Sequence, residues 1–174
     1  QNRRADRIDE PARLYAGGAA ARLARLQHDQ RCAALLFLDL DNFKRVNDVH
    51  GHGEGDRVLI QVARFLDEHS RPSDLVARLG GDEFAMWFDG MDRAGATDRA
   101  GRMLEDSAKF KDYSGDASHP LGVSIGIAIY DPGSGETIEE IVARADAAWL
   151  GGEGDEDVAR ADARLGGEGD EDVA

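Results

Sequence analysis

Short runs of apolar residues along the chain predict several buried β-strands. The first run, at residues 32–43 (CAALLFLDLDNF), is apolar at its start and ends in carboxylates. Residues 74–88 (DLVARLGGDEFAMWF) contain two β-prone runs joined by Gly80-Gly81, which is typical of a tight hairpin. Residues 120–131 (PLGVSIGIAIYD) alternate small and apolar side chains in the manner of a further strand.

Helical periodicity marks the segments between these strands. Residues 53–69 place five apolar side chains on one helical face: Val58, Leu59, Val62, Phe65 and Leu66. Residues 92–110 have a weaker helical pattern. Residues 136–150 predict a helix that starts at a capping box, Thr137 with Glu140, and has an apolar face made of Ile138, Ile141, Val142, Ala145 and Trp149. The polar lead-in is expected to be helical, with Leu14, Leu23 and Leu26 as core contacts.

The order of these elements predicts the fold class. Strands that pair through a local hairpin, with helices between them, indicate an α+β domain in which helices cover a sheet. At 174 residues the chain is long enough for one well-buried core and short for two. We expect a lead-in at residues 1–31, one domain at residues 32–150 and a tail at residues 151–174.

The tail is acidic and internally repeated. The sequence LGGEGDEDVA occurs at residues 150–159 and again at residues 165–174. A repeat that occurs only twice is too short for a solenoid, and its composition favours disorder. Nine acidic residues against two arginines give the tail a charge of −7, which is half of the net charge of −14.

Charge and apolar pattern also bear on the class of protein. An acidic surface repels phosphates, so nucleic acid is not an expected partner and a phosphate ligand would need a metal ion. No stretch reaches the ~20 apolar residues of a membrane span, so we expect no membrane segment in this fragment. Cys32 stands alone, which fits a reducing, cytoplasmic compartment. The chain begins with Gln1, which suggests a piece of a longer protein that could itself carry a membrane anchor and neighbouring sensor or effector domains.

A first pair of carboxylates stands at the end of the first predicted strand. Asp39 and Asp41 are two residues apart, so both side chains point to the same face of the strand. Buried carboxylates repel each other and are costly to desolvate, and a divalent cation relieves both costs. Oxygen-only ligands suit Mg²⁺. The alternative is a strand that ends in solvated turn acids, and this pair alone does not decide between the two.

A second pair, Asp82 and Glu83, follows the Gly80-Gly81 turn directly. Two acids at a tight turn are often only turn formers. Here, however, a strand begins at once with Phe84 and holds both acids at the edge of the sheet. Two acid clusters on neighbouring strands are the arrangement expected for metal-assisted phosphoryl transfer.

Two segments resemble the signature segments of the GGDEF family of diguanylate cyclases. The first is LDLDNFKRVNDVHGHGEGD at residues 38–56, and the second is RLGGDEF at residues 78–84. They occur in the family's order and spacing, and the resemblance extends from Cys32 to Trp149. It implies a nucleotidyl-cyclase or ferredoxin-like architecture with a central, mostly antiparallel five-stranded sheet. It also implies an enzyme that condenses two GTP into the bacterial second messenger cyclic di-GMP and pyrophosphate, as a homodimer.

The resemblance assigns metal and catalytic roles to one set of residues. Mg²⁺, with two ions per active site and Mn²⁺ as a possible substitute, would be bound by Asp39, Asp82, Glu83 and the carbonyl of Leu40. Glu83 would also serve as the base for the 3′-hydroxyl of GTP, and Asp82 would complete the catalytic pair.

The resemblance also assigns substrate and product contacts. Asn47 and Asp56 would bind guanine, because a carboxylate can accept from its N1–H and N2–H₂ together. Phe43 and Lys44 would contact the phosphates through backbone amides and, for Lys44, through its charge. Arg71-Pro72-Ser73-Asp74 lies five residues before Gly80. An R-x-x-D motif is usually only a surface charge pair, but at this spacing Arg71 and Asp74 resemble the family's inhibitory site for cyclic di-GMP.

Two stretches depart from the family pattern. Residues 9–18 (DEPARLYAGG) keep Leu14 but lack the threonine, the asparagine and both arginines of the family's first segment. At the end of the chain, Glu153 and Asp157 stand where a lysine and an arginine would clamp the triphosphate. Acids at these positions repel a triphosphate, although magnesium and Lys44 offset part of the loss.

Three hypotheses therefore stay open. The first is an active diguanylate cyclase. The second is a degenerate domain that binds GTP or cyclic di-GMP and regulates a neighbouring domain, which the two departures favour. The third is a structural dimerisation domain, which would leave the acids at Asp39, Asp82 and Glu83 without a role.

Overall fold

The computed structural model describes residues 18–150, and the side chains of residues 19–148. Helix α1 (Gly18–His28) precedes strand β1 (Ala33–Asp41), which leads into two consecutive helices, α2 (Phe43–His50) and α3 (His52–Glu68). A hairpin of β2 (Leu75–Gly80) and β3 (Glu83–Asp89) follows. The remaining elements are α4 (Arg93–Ser107), a 3₁₀-helix (Ala108–Ser114), β4 (Gly122–Tyr130), α5 (Ile138–Asp146) and β5 (Trp149–Leu150).

These strands form one antiparallel sheet in the order β2-β3-β1-β4-β5. Strands β1 and β4 have 9 residues each, β3 has 7 and β2 has 6. Strand β5 has only 2 residues and pairs at the edge, so the expected count of five is met only when this short strand is included. The predicted α+β class with a helix-covered antiparallel sheet is confirmed.

Strand β1 lies at the centre of the sheet and is buried on both faces. Leu36 and Leu38 belong to a core cluster shared with α2, α3 and α4. Leu35 and Phe37 point the other way, into a second cluster shared with α1 and α5. Burial on both faces explains why this strand appears in the sequence as a continuous apolar run instead of an alternating one.

The last predicted helix is correct at its start and wrong at its end. The side chain of Thr137 accepts from the Glu140 amide, and the Thr137 amide donates to the Glu140 carboxylate, which completes the predicted capping box. The helix ends at Asp146, however, and Trp149 lies in β5 opposite Gly126 of β4. Pairing with the edge of the sheet therefore takes precedence over the helical periodicity that favoured Trp149.

The central part of the chain contains a helix that the sequence analysis missed. Residues 43–50 form α2, and Gly51, with φ of 85°, separates it from α3. The predicted helix at residues 53–69 corresponds to α3, and the weaker pattern at residues 92–110 divides into α4 and the 3₁₀-helix.

The lead-in was expected to be helical, and residues 18–28 form α1. Leu26 is buried and Leu23 packs partly against the same core, as expected, whereas Leu14 lies outside the described residues. Among the helices within residues 18–150, none combines the length and apolar character needed to cross a membrane.

Candidate active site where β1 meets the β2–β3 hairpin

The turn between β2 and β3 carries Asp82 and Glu83. The strand register shifts between Arg78 and Gly80, so the turn is irregular. The guanidinium of Arg78 donates from Nε and Nη2 to the carbonyl of Gly81, at 3.0 and 2.7 Å. Arg78 therefore holds this turn in shape. Its place in the sequence, just before the glycine pair, was the only signal of this role.

Strand pairing brings the two predicted acid clusters together. Asp39 and Glu83 are direct partners in the β1–β3 ladder, so their side chains leave the sheet on the same face. The backbone amide of Leu40 donates to the carbonyl of Asp82 at 3.3 Å, which fixes the turn against β1. The carboxylate of Glu83 lies beside Gly80.

Asp41, the second acid of β1, is tied to the opposite neighbour strand. The hydroxyl of Ser124 in β4 donates to its two carboxylate oxygens, at 2.8 and 2.9 Å. Ser124 is buried and is the direct partner of Asp39 in the β1–β4 ladder, so this contact lies on the same face of the sheet as Asp39. No local pattern could have revealed it, since the two residues are 83 positions apart.

The electrostatics of Asp39 show that the acids repel one another. The pKa of Asp39 is raised from 3.8 to about 6, first by burial and then by the charges of Asp82, Asp41 and Glu83. The backbone amide of Leu40 opposes this rise only in part. Negative charge is therefore concentrated at this end of β1 at neutral pH.

This concentration of oxygen atoms fits a hard divalent cation. A cation among the carboxylates would remove the repulsion that raises the pKa of Asp39, and oxygen-only ligands suit Mg²⁺. Within the described side chains, no three acid, imidazole or thiol groups converge closely enough to form a metal site on their own. The expected ligands also include the Leu40 carbonyl, which is not a side chain.

Helix α2 begins directly after β1, next to the carboxylates. Asn42 occupies its N-cap position in a left-handed conformation, with φ of 63°, and makes no side-chain cap. Its amide donates instead to the carbonyl of Pro120 at 2.9 Å. The first-turn amides of Phe43 and Lys44, which have no acceptor inside a helix, are thus left without a side-chain cap. The ring of Phe43 is in the core, and Lys44 is exposed.

The two residues expected to bind guanine lie where α2 meets α3. The amide oxygen of Asn47 lies against Gly55, and a Cβ at Gly55 would overlap it. Asp56 follows Gly55 and is exposed on the first turns of α3. Glycine at position 55 therefore allows Asn47 to approach the helix segment that carries Asp56.

The R-x-x-D motif forms a turn before β2. The amide of Arg71 donates to the Asp74 carboxylate at 2.7 Å, and the amide of Asp74 donates to the Arg71 carbonyl at 3.0 Å. Asp74 thus caps a backbone turn and is not in a charge pair with Arg71, whose side chain is exposed. The motif lies at the far end of β2 from Gly80, about 20 Å away at the usual rise of a strand.

A helix-covered antiparallel sheet whose central strand and adjacent hairpin turn bring together four carboxylates fits a metal-dependent nucleotide-processing domain. The family model described as "Diguanylate cyclase, GGDEF domain" matches residues 13–151. This chain belongs to that family, as its two signature segments predicted.

Curated relatives support the same family. The chain is 42% identical over 120 residues to the bifunctional diguanylate cyclase/cyclic di-GMP phosphodiesterase MucR of Pseudomonas aeruginosa, which covers 69% of this chain and 17% of MucR. It is 36% identical over 143 residues to the diguanylate cyclase TpbB of the same species, which covers 79% of this chain and 32% of TpbB. The chain thus spans about a third or less of the length of these two relatives.

Solved structures of GGDEF domains have the same fold. The GGDEF domain of TpbB superposes with a TM-score of 0.63 at 34% identity, over 79% of this chain and 83% of that one. The GGDEF domain of DgcB from Caulobacter crescentus, solved in complex with c-di-GMP, superposes with a TM-score of 0.64 at 26% identity, over 86% of this chain and 84% of that one.

Proposed function

We propose that this chain is the catalytic domain of a diguanylate cyclase, which condenses two GTP molecules into cyclic di-GMP with release of pyrophosphate. The observation that carries the proposal is the direct pairing of Asp39 with Glu83 across β1 and β3. Burial, together with the charges of Asp82, Asp41 and Glu83, raises the pKa of Asp39, and these carboxylates would supply the oxygen ligands that nucleotide chemistry with magnesium requires.

The proposed reaction forms one bond and breaks one at each α-phosphorus. The 3′-oxygen of one GTP attacks the α-phosphorus of the other, its proton passes to the carboxylate of Glu83, and pyrophosphate leaves. Asp39, Asp82, Glu83 and the carbonyl of Leu40 would hold the metal, with Mg²⁺ as the natural ion and Mn²⁺ as a substitute. Bound there, the metal would offset negative charge that develops on the α-phosphate oxygens.

The residues around α2 would bind the substrate. Asn47 and Asp56 would hydrogen-bond the guanine edge. The approach of Asn47 to Gly55, the residue before Asp56, supports a joint role for these two side chains. The uncapped first turn of α2 would offer the amides of Phe43 and Lys44 to the phosphates, with favourable helix polarity.

The symmetry of the product requires two subunits. Cyclic di-GMP contains two equivalent 3′–5′ linkages, and one site that holds one GTP can form only one of them at a time. We therefore propose a homodimer in which each subunit holds one GTP and the two sites face each other, so that both linkages form in one encounter.

The test compares wild type with Glu83→Gln, and uses Glu139→Gln as a matched control on an exposed face of α5. The purified proteins are incubated with GTP and magnesium, and cyclic di-GMP and pyrophosphate are measured by chromatography. Loss of a general base should lower product formation about 10³-fold in Glu83→Gln. Glu139→Gln should match wild type, and all three should bind GTP.

A second candidate is a degenerate GGDEF domain that binds GTP or cyclic di-GMP and regulates a neighbouring domain. Glu153 and Asp157, which replace the basic clamp, favour it, and both lie outside the described residues. Nucleotide binding by wild type without any product would support this function over the cyclase. Failure to bind either nucleotide would leave only the structural dimerisation domain.

We also propose that the R-x-x-D turn binds cyclic di-GMP as an inhibitory product. The exposed side chain of Arg71 is available for guanine and phosphate, and the turn that Asp74 closes would present it. Arg71→Ala should weaken cyclic di-GMP binding at least about tenfold in calorimetry, the effect of losing a charge-assisted contact. Unchanged affinity would refute the assignment.

A further inference from the structure

Helix α2 needs external support to bind a nucleotide in one geometry. It has 8 residues, whereas isolated helices of this length are marginal in water. The N-cap side chain does not stabilise its first turn, and Gly51 ends it with a positive φ. Something outside the helix must therefore fix its position and direction.

The loop at residues 115–121, between the 3₁₀-helix and β4, contacts α2 at its start. The Nε of Arg45 donates to Oδ2 of Asp116 at 2.9 Å. The side chain of Asn42 donates to the carbonyl of Pro120 at 2.9 Å. Two separate bonds from one loop thus hold the N-cap and the first turn of α2.

The same loop also meets the other end of α2. Gly115 has a positive φ of 67°, and a Cβ there would overlap the imidazole of His50 and crowd Val49. The backbone of the loop therefore approaches the last turn of the helix closely. Contacts at both ends fix the axis of α2, and not only one point on it.

Asp116 is held by residues of its own loop as well as by Arg45. Its carboxylate accepts from the amide of Ser118 at 2.9 Å, and Nδ1 of His119 lies 2.9 Å from Oδ2. The hydrogen bonds from His119, Ser118 and Arg45 hold the pKa of Asp116 at about 2. An ionised acceptor in a preorganised loop can orient an arginine, whereas two flexible surface chains contribute little.

We propose that Asp116 is a positioning residue for nucleotide binding: through Arg45, it fixes the helix α2 that presents the Phe43 and Lys44 amides and Asn47. The consequence for the nucleotide rests on the proposed function, whereas the effect on α2 does not. Because Asp116 touches no substrate in this scheme, its loss should weaken ground-state binding and leave the chemical step nearly unchanged.

The first experiment measures kcat and KM for GTP in the full chain. Asp116→Ala should raise KM about five- to tenfold while kcat changes less than about twofold, since both ground and transition states lose the same contacts. Asp116→Asn keeps an acceptor but not the charge, so its KM should lie between those of wild type and Asp116→Ala. Asp112→Ala removes an exposed acid from the adjacent 3₁₀-helix and should match wild type.

The second experiment measures amide hydrogen exchange in residues 43–50 and does not require turnover. Exchange should be faster in Asp116→Ala than in wild type and unchanged in Asp112→Ala. Unchanged exchange in Asp116→Ala overturns the proposal, as does faster exchange with an unchanged KM. If wild type neither binds nor converts GTP but exchange still responds to Asp116→Ala, the cyclase assignment fails and the positioning of α2 by Asp116 stands.

Discussion

The two ends of strand β3 place acidic side chains in opposite electrostatic environments. Glu83 and Asp89 lie six positions apart, so both leave the sheet on the same face. At one end, Glu83 is opposite Asp39 in a group of mutually repelling acids. At the other end, Asp89 is surrounded by donors. One strand thus places a destabilising cluster and a stabilising cluster about 20 Å apart.

Asp89 has the partners that a largely buried carboxylate needs. It accepts from Nη1 of Arg22 at 3.0 Å, from Nη2 of Arg25 at 2.7 Å and from Nε1 of Trp87 at 2.7 Å. Both arginines come from α1, so this carboxylate fastens the helix to the sheet. Arg22 also donates to the carbonyl of Ser73, inside the R-x-x-D turn.

At Asp39 the balance is reversed: burial and the charges of neighbouring acids raise its pKa to about 6, and the Leu40 amide offsets only part of this rise. Such an arrangement lowers stability, and proteins retain it where function needs it. The contrast indicates that the Asp89 end holds α1 to β3, whereas the proposed function assigns the Glu83 end to ligands.

The largest effect is expected at the Asp89 end. Asp89→Ala removes the acceptor for the partly buried Arg22 and the buried Trp87, and should lower the free energy of unfolding by about 3 kcal/mol. Urea unfolding of the purified domain measures this loss. The control is Asp98→Ala, whose ion pair with Arg102 is exposed and should contribute less than about 0.5 kcal/mol.

Equal losses in the two variants would contradict the comparison, since Asp89 would then be an ordinary surface acid. Amide exchange in α1 gives a second measure: Asp89→Ala should expose residues 18–28 to exchange, and Asp98→Ala should not.

A smaller change in the free energy of unfolding, of opposite sign, is expected for a substitution at the Glu83 end. The pKa of Asp39 is higher in the fold than its usual 3.8, so the stability that its carboxyl contributes at low pH is lost as the pH rises from about 4 through about 6. Asp39→Asn should therefore stabilise the metal-free domain at pH 7.5, by about 1 kcal/mol once solvent screening of a half-buried group is allowed for.

Thermal melts from pH 3.5 to 7.5 in the presence of a chelator check this prediction. Stability of wild type should fall relative to Asp39→Asn between pH 4 and 7, and the two curves should converge at the acidic end. Curves that stay parallel would mean that Asp39 carries no penalty. The variant should also lose cyclase activity, because it loses an expected metal ligand.

The sequence predicted the features that depend on local pattern. Strand β1, the glycine hairpin and the Thr137 cap each depend on neighbouring residues, and the signature segments correctly indicated the family. Residues that depend on long-range contacts were missed: Ser124 binds Asp41 and Asp116 binds Arg45 across more than 70 positions. No periodicity carries such information.

The hydrophobic periodicity also failed to predict two local features. Helix α2 was missed because its eight residues, Phe43 to His50, give too few turns for a clear periodicity. Trp149 was placed on a helix because its spacing fits one, whereas pairing with Gly126 draws it into the sheet. In both cases tertiary packing decided the local structure.

The smallest expected effect is the stabilisation by magnesium, which should depend on the Glu83 end of β3 and not on the Asp89 end. At about twice its Kd, magnesium that binds only the folded state should stabilise the domain by about 0.6 kcal/mol. Melts with and without the metal should show this gain in wild type and in Asp89→Ala, even though the latter starts from a lower stability. The gain should vanish in Asp39→Asn and in Asp82→Asn, because each removes an expected ligand. A gain that persists in these two variants would place the metal elsewhere, and the repulsion at the Glu83 end would then have no ligand to explain it.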